Sequence, residues 1–554
     1  MKCKKLNAVL LTAAIAAVPL SGCSSDKSMA STENKDSDGV LELTYYNADT
    51  NKDDPWTDPV ALAITDATGV KLTTSYPVSD AAEDISLIIA DDKYPDIIYS
   101  KGFANSLVEA GALIDLTDLI EEYGPNIKKV YGDELKKLRY SADDPAIYQL
   151  SSYGVGGSPM KPAGNAQIQW RVLEENGYDY PTTLAEYEQM IKDYLAKHPK
   201  TEDGLDHIGL SMCAADWRWM ITMGNPSAFI AEGSPDTGEW LVQEDDSVIF
   251  KYRSEKVKEY FRWLSRMYDE GILDSEFATQ TYEDYIAKIG SGRVIGLTDN
   301  SWNYAEGETI LKADGKVDLT YAGLPVTLDE NTKCASLMYQ GLTVGWGIGI
   351  TKDCKDPVAA IKFIDFMCSD EGMVLRHWGI EGVNYFVDEN GHRYRTEEEI
   401  QAATTDQDYA PKTGVGFHVT GFPIYGDGVT DPTGSTYTLN SEESIIATYT
   451  EAEKKACEAM NVHMLKDIFP QPDEFETPLY SSPATYSMPS ELNEIFNILE
   501  EIAWPGLVKA ISGGQANFDA NYDAMLADFE ANGVKEAEAM MTEMVKQSAS
   551  WQEW

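Results

Sequence analysis

Leu41-Glu42-Leu43-Thr44-Tyr45-Tyr46 is a short β-prone run, and the segments after it decide the fold. Asp58-Pro59 places a capping aspartate before a proline at the first helical position, and the helix they open stops at Gly69. Val70 to Tyr76 reads as the next strand and Ala81 to Ala90 as a second helix. Asp96-Ile97-Ile98-Tyr99 reads as a buried strand after Pro95. Strand, helix, strand, helix, strand is the rhythm of an α/β sheet, whose ligand site lies beyond the carboxyl ends of its strands.

Upstream of this unit, Lys2, Lys4 and Lys5 precede an apolar run from Leu6 to Leu20 that is too short to span a bilayer. It ends in Leu20-Ser21-Gly22-Cys23, which matches a bacterial lipobox. Residues 1–22 are therefore expected to be a lipoprotein signal peptide, removed before Cys23, whose thiol would carry a diacylglycerol. Residues 23–40 would be the lipidated cysteine and a flexible tether. The Ser/Asp/Lys-rich coil from Ser24 to Gly39 reaches roughly 20–25 Å. The location implied is the extracellular face of the cell membrane.

Downstream, Thr183-Leu184-Ala185-Glu186 is a capping box opening a helix, and Val257, Tyr260, Phe261, Leu264 and Tyr268 mark the face of another. Glu239 to Tyr252 reads as a hairpin. Arg293 to Leu297 reads as a strand ending just before Asp299-Asn300-Ser301-Trp302-Asn303. Gly345-Trp346-Gly347-Ile348-Gly349-Ile350 is a strand whose glycines imply close backbone packing. Asp356-Pro357 opens another helix, Asp388 to Gly391 is a hairpin turn, and the chain is mostly helical from Glu442.

At roughly 150 residues per domain, 554 residues imply at least two domains or two large lobes. Hydrophobic residues at 43% exclude a disordered chain, and a mean hydropathy of −0.33 excludes a multi-span membrane protein. With 44 Lys+Arg against 92 Asp+Glu, a net charge of −48 argues against nucleic acid as a partner and against a basic membrane patch. Cys213, Cys334, Cys354, Cys368 and Cys457 stand in no metal-ligand spacing and read as small buried groups.

The chain carries no nucleophile elbow, no P-loop and no dinucleotide fingerprint. Among His198, His207, His377, His392, His418 and His463 no two stand three or four apart, so none builds a zinc helix. No catalytic residue, cofactor or metal is expected. Thr201-Glu202-Asp203-Gly204-Leu205-Asp206 is acidic but lacks the rhythm of a calcium loop.

Several segments together resemble the bacterial extracellular solute-binding proteins of family 1, the lipoprotein receptors of carbohydrate ABC importers, and most of all their long subgroup. They are Tyr94-Pro95-Asp96-Ile97-Ile98, Trp170-Arg171 with Asn176-Gly177 and Tyr180-Pro181-Thr182-Thr183, and Tyr285 to Arg293 with Trp302-Asn303. Ile348 to Asp353 with Asp356-Pro357, Ser369-Asp370-Glu371-Gly372 and Gly379-Ile380-Glu381-Gly382 complete the series. The resemblance implies a two-lobed, type II periplasmic-binding-protein-like α/β fold with the ligand cleft between the lobes. Residues 41–155 with 345–435 would form one lobe, and 156–344 with 436–546 the other. It also implies a monomer that does no chemistry and passes an oligosaccharide to a membrane permease. Long members often carry an asparagine-rich calcium loop after the helix that begins at the Pro-Thr-Thr segment; here that stretch, His198 to Gly209, is shortened and lacks those asparagines.

A sugar offers an apolar C–H face to aromatic rings and hydroxyls to planar polar groups. Trp302, with Asp299 and Asn303 beside it at a strand end, is the leading candidate. Trp217 and Trp219 around Arg218, Trp378, Trp346, and Trp56 with Tyr46 and Asn47 near the first strand's end are further candidates, as are Trp170, Arg171 and Lys101. Trp263 and Trp504 read as core. The acidic balance favours a neutral ligand. A surface glycoside hydrolase, or a receptor for a peptide or other small solute, are the alternative readings.

Overall fold

The computed structural model describes residues 39–49, 54–78, 80–141, 143–162, 164–234, 238–243, 245–476 and 489–550. The expected signal peptide, Cys23 and most of the tether lie outside them. Nine strands build two sheets: β1 (Leu41–Asn47), β2 (Val70–Ser75), β3 (Ile97–Tyr99), β4 (Leu150–Ser151), β5 (Gly164–Gln169), β6 (Ile208–Leu210), β7 (Val294–Asn300), β8 (Tyr321–Leu324) and β9 (Gly347–Ile350).

The first sheet has the order β2-β1-β3-β9-β4. β1 pairs in parallel with both β2 and β3, while β9 runs antiparallel to β3 and β4. The helix Pro59–Thr68 makes the crossover between β1 and β2. Asp58 caps it by accepting from the Ala61 amide, and Gly69 ends it at φ 66°, a left-handed value that suits a residue without Cβ. The glycines of β9 are there for closeness: a Cβ at Gly347 would sit 2.5 Å from the Leu150 carbonyl oxygen.

The second sheet has the order β8-β5-β7-β6. β5 is antiparallel to both β7 and β8, and β6 is parallel to β7. The expected capping box at Thr183 and Glu186 opens the helix Leu184–Lys197 against this sheet. Trp240–Val242 and Val248–Phe250 form the expected hairpin. Three long helices, Ser490–Ser512, Gln515–Ala531 and Val534–Ser550, complete the C-terminal region.

Two large hydrophobic cores result. One joins β1, β2, β3 and β9 to residues as late as Tyr437, including Ile361, Ile364 and Phe422. The other joins Ile168, Tyr187, Leu210 and Phe261 to the late helices through Leu499, Leu507 and Tyr522. The chain passes between these cores three times, after Val155, after Val326 and after Tyr437. This is a mixed α/β, two-lobed fold of the periplasmic-binding-protein type. The five internal cysteines are free thiols, and all but Cys457 are buried.

Candidate functional site

β7 lies inside its sheet and every one of its residues is buried. It runs to Asn300, further than the sequence suggests, because Asp299 and Asn300 still pair with Asn165 and Gly164 of β5. Helix Ser301–Ala313 begins at once, so a strand end and a helix start place Asp299, Trp302 and Asn303 together. The Asp299 carboxylate accepts from the Tyr285 hydroxyl at 2.7 Å, from Asn303 Nδ2 at 2.9 Å and from the Asn300 amide at 2.7 Å. Burial pushes its pKa up to about 7; those hydrogen bonds and the Arg218 charge hold it from rising further. Asn303 Oδ1 is buried without a partner among the described residues.

At the start of the same helix the Trp302 ring stacks with that of Trp217 at 6.2 Å and 12°, and the two are 56% and 47% exposed. Large parallel indoles left open to solvent form a platform, whereas a core would bury them. The Arg218 guanidinium lies 3.8 Å from the Tyr282 ring centre and 4.7 Å from that of Trp217, and pairs with Asp216 at 2.8 Å.

The first lobe offers a second polar, aromatic surface at the carboxyl ends of β1 and β2. Tyr45 and Asn47 stand on one face of β1, and both line a cavity of about 240 Å³ together with Thr74, Trp56, Phe417 and His418. Lys101 pairs with Asp49 at 2.8 Å, and its ammonium lies 5.0 Å from the Trp346 ring, on which Tyr153 packs edge-on at 5.7 Å.

Other candidates stand elsewhere. Tyr46 points to the opposite face of β1, into a small core with Ile85 and Ile98, because side chains alternate along a strand. Trp219 is buried and stacks on Trp504 at 6.4 Å, although Trp217 two residues earlier is open. Trp378 is buried and donates to the Thr436 carbonyl at 3.0 Å. Trp170 is buried in the second core, and Arg171 is tied to Gln169 and the Gly292 carbonyl. β5 runs antiparallel to β7, so the residues after it emerge at the end of the sheet away from Asp299. Trp263 and Trp504 pack in or against the second core, as expected.

Among the described residues one group, Asp54, Asp58 and His418, brings metal-type ligand atoms within 4.8 Å of one another. His418 Nε2 meets Asp58 at 2.7 Å and Nδ1 meets Asp54 at 3.4 Å. Burial opposes its charge, but the two carboxylates outweigh it and raise its pKa to about 9. The three side chains form a buried ion cluster joining residues 54–58 to the 416–422 segment. The acidic loop after helix Leu184–Lys197 carries an ion pair of its own. Lys200 reaches across it to Asp206 at 2.7 Å and to the Gly204 carbonyl at 3.3 Å, putting an ammonium among the oxygens a divalent ion would need.

Sequence reading missed Tyr45, Thr74, Tyr282, Tyr285 and the His418 cluster. Tyr45 was within reach: Leu41, Leu43, Tyr45 and Asn47 share one face by period two, so Tyr46 and Asn47 cannot both point to one site. His418 was not, because its partners lie some 360 residues away.

Residues 60–380 match the family model described as bacterial extracellular solute-binding protein, and the chain belongs to that family. Among curated relatives, the fructooligosaccharide ABC transporter substrate-binding protein FusA of Streptococcus pneumoniae is 25% identical over 304 residues, covering 51% of this chain and 55% of that one. An uncharacterized protein in the butB 5′ region of Niallia circulans is 25% identical over 127 residues, covering 23% of this chain and 48% of that one. The chain spans about half the length of the curated relatives it matches. Similar solved structures include an extracellular solute-binding protein of Bifidobacterium longum subsp. infantis (TM-score 0.68, 16% identity, covering 93% of this chain and 99% of that one). FusA in complex with fructo-nystose (0.67, 17%, 92% and 99%) and the alginate-binding protein AlgQ2 (0.67, 16%, 93% and 99%) are others. At these identities they speak for the fold alone.

Proposed function

We propose that this solute-binding protein captures a neutral oligosaccharide and delivers it, chemically unchanged, to the membrane permease of an ABC importer. The observation that carries the reading is the open, stacked Trp217–Trp302 pair where β7 passes into helix Ser301–Ala313. The outer faces of the stacked indoles are open to solvent and match the C–H face of a sugar ring.

Charge favours a neutral ligand. Arg218 is balanced by Asp216 and Lys101 by Asp49, so neither cation is free for a carboxylate. The relative FusA carries fructooligosaccharide in its name, and a structural neighbour binds alginate, so the relatives span neutral and acidic glycans. Under this reading the lobes follow the expected spans, residues 41–155 with 345–435 and residues 156–344 with 436–546, except that Leu342, Val344 and Tyr437 pack in the first. Trp217 and Trp302 are one wall of the site, with Asp299 and Asn303 buried in the turn that carries Trp302, and Asn47, Trp56, Lys101 and Trp346 are the other. The protein acts as a monomer, anchored through a diacylglycerol on Cys23.

The test is a melting series of the chain with kestose, nystose, maltotriose, cellotriose and xylotriose. One or more should raise the melting temperature, chromatography should show no product, and Trp302→Ala should weaken binding about tenfold without lowering the unliganded melt. Peptide in place of glycan as the stabilising ligand, or glycan cleavage, would sink the reading.

A further inference from the structure

The first-lobe cavity holds two hydroxyls that find no hydrogen-bond partner among the described residues. Tyr45 Oη and Thr74 Oγ1 are buried, line the cavity, and have no hydrogen-bond partner among the described residues. They are not independent accidents. Tyr45 and Thr74 are register partners on the neighbouring parallel strands β1 and β2, so their side chains leave the same face side by side. Tyr45 is 3% exposed, and a hydroxyl removed from water without a partner costs free energy that folded proteins seldom leave uncompensated. Asn47, one strand repeat further along β1, adds an amide to the same wall.

The rest of the cavity fits the same ligand chemistry. Trp56, Phe417 and Phe422 give it apolar sides, and Thr420 another hydroxyl. Its volume of about 240 Å³ falls below the 300–1,000 Å³ range of sites for drug-sized molecules, so it holds one ring and not a chain. Its charges are already matched or negative: Asp49 belongs to Lys101, and His418 sits between Asp54 and Asp58. Among the described residues, a carboxylate brought in would face Asp49 and Asp54 with no free cation to meet it. Beyond Asp49 the surface continues to the Lys101–Trp346–Tyr153 group, where further rings of a chain would find an aromatic face.

From this we infer that the cavity at the carboxyl ends of β1 and β2 is a one-ring subsite that takes the uncharged end ring of the oligosaccharide through the Tyr45 and Thr74 hydroxyls. The inference rests on the sugar-receptor reading and adds to it that the chain is selected by its end.

Removing an unpartnered hydroxyl should not harm the free protein, and this gives the test its signature. In the full chain, Tyr45→Phe and Thr74→Val should melt at or above the wild-type temperature without glycan. Each should bind the stabilising member of the kestose, nystose, maltotriose, cellotriose and xylotriose panel about fivefold more weakly by calorimetry. Unchanged affinity in both variants, with Trp302→Ala still weakened, overturns the subsite and leaves the sugar-receptor reading standing. A lowered melting temperature of both unliganded variants also overturns it, because the hydroxyls would then be structural. If no panel glycan binds the wild type, the sugar-receptor reading falls and the subsite with it.

Discussion

Asp299 is a carboxylate held out of water at the point where a strand becomes a helix. Its folded-state pKa, about 7, lies above the ordinary 3.8, so the folded protein holds the neutral form more firmly than the unfolded chain does. Its contribution to stability is therefore complete below about pH 3.8 and disappears as pH rises through about 7. Asp299→Asn removes the titration. Between about pH 4 and pH 8 the wild type should lose stability relative to this variant, by up to about 4 kcal/mol, read from melting curves of the two proteins side by side. The same pH dependence in both would show that Asp299 stays ionised in the folded state. The Asp299–Trp302–Asn303 group was legible because a strand end followed by an aromatic is a local pattern. The way Arg218 lies on Trp217 and Tyr282 was not, because only the fold brings that charge and those two rings together. Trp219 was misread for a related reason: two residues along an irregular turn suffice to carry an indole from solvent into a core.

At the scale of elements, caps were the most readable feature. Asp58-Pro59, Thr183 with Glu186, and Asp356-Pro357 open helices where local chemistry places them, since each satisfies amides within its own first turn. Strand direction was the least readable: β5 runs against β7, which sends Trp170 and Arg171 away from the site. The loop after Leu184–Lys197 yields a prediction at this scale. Lys200 bridges Asp206 and the Gly204 carbonyl, and its hydrogen bond and charge hold the Asp206 carboxyl below its usual range. The melting temperature of the full chain should thus be the same in EDTA and in millimolar calcium chloride. A calcium-dependent rise would mean that the loop rearranges to admit the ion.

The whole molecule is two packed bodies that also touch directly, through helix Ser301–Ala313 against helix Glu397–Thr405 and a hydrogen bond from Ser490 to Glu109 at 2.7 Å. Two bodies joined by crossing segments can hinge, and a ligand that touches both favours the closed arrangement by its difference in affinity. Small-angle scattering of the chain should show a smaller radius of gyration with a saturating panel glycan than without it. At a hundredfold excess over Kd the bound state should gain about 2.7 kcal/mol of stability. An unchanged radius would mean that the lobes are already closed or that the ligand touches one lobe only. The alternating strands and helices made the α/β class readable from the first stretch onward. The assignment of late residues such as Tyr437 to the first core has no local signature, because it depends on the chain returning.

That return has a consequence for biogenesis. The core built on β1 and β2 needs Phe422 and Tyr437, so the amino-terminal body stays incomplete until most of the polypeptide has been synthesised. There is no early resting point at which one half could settle by itself while the other is still being made, and no single cut in the gene would yield two independently folding products.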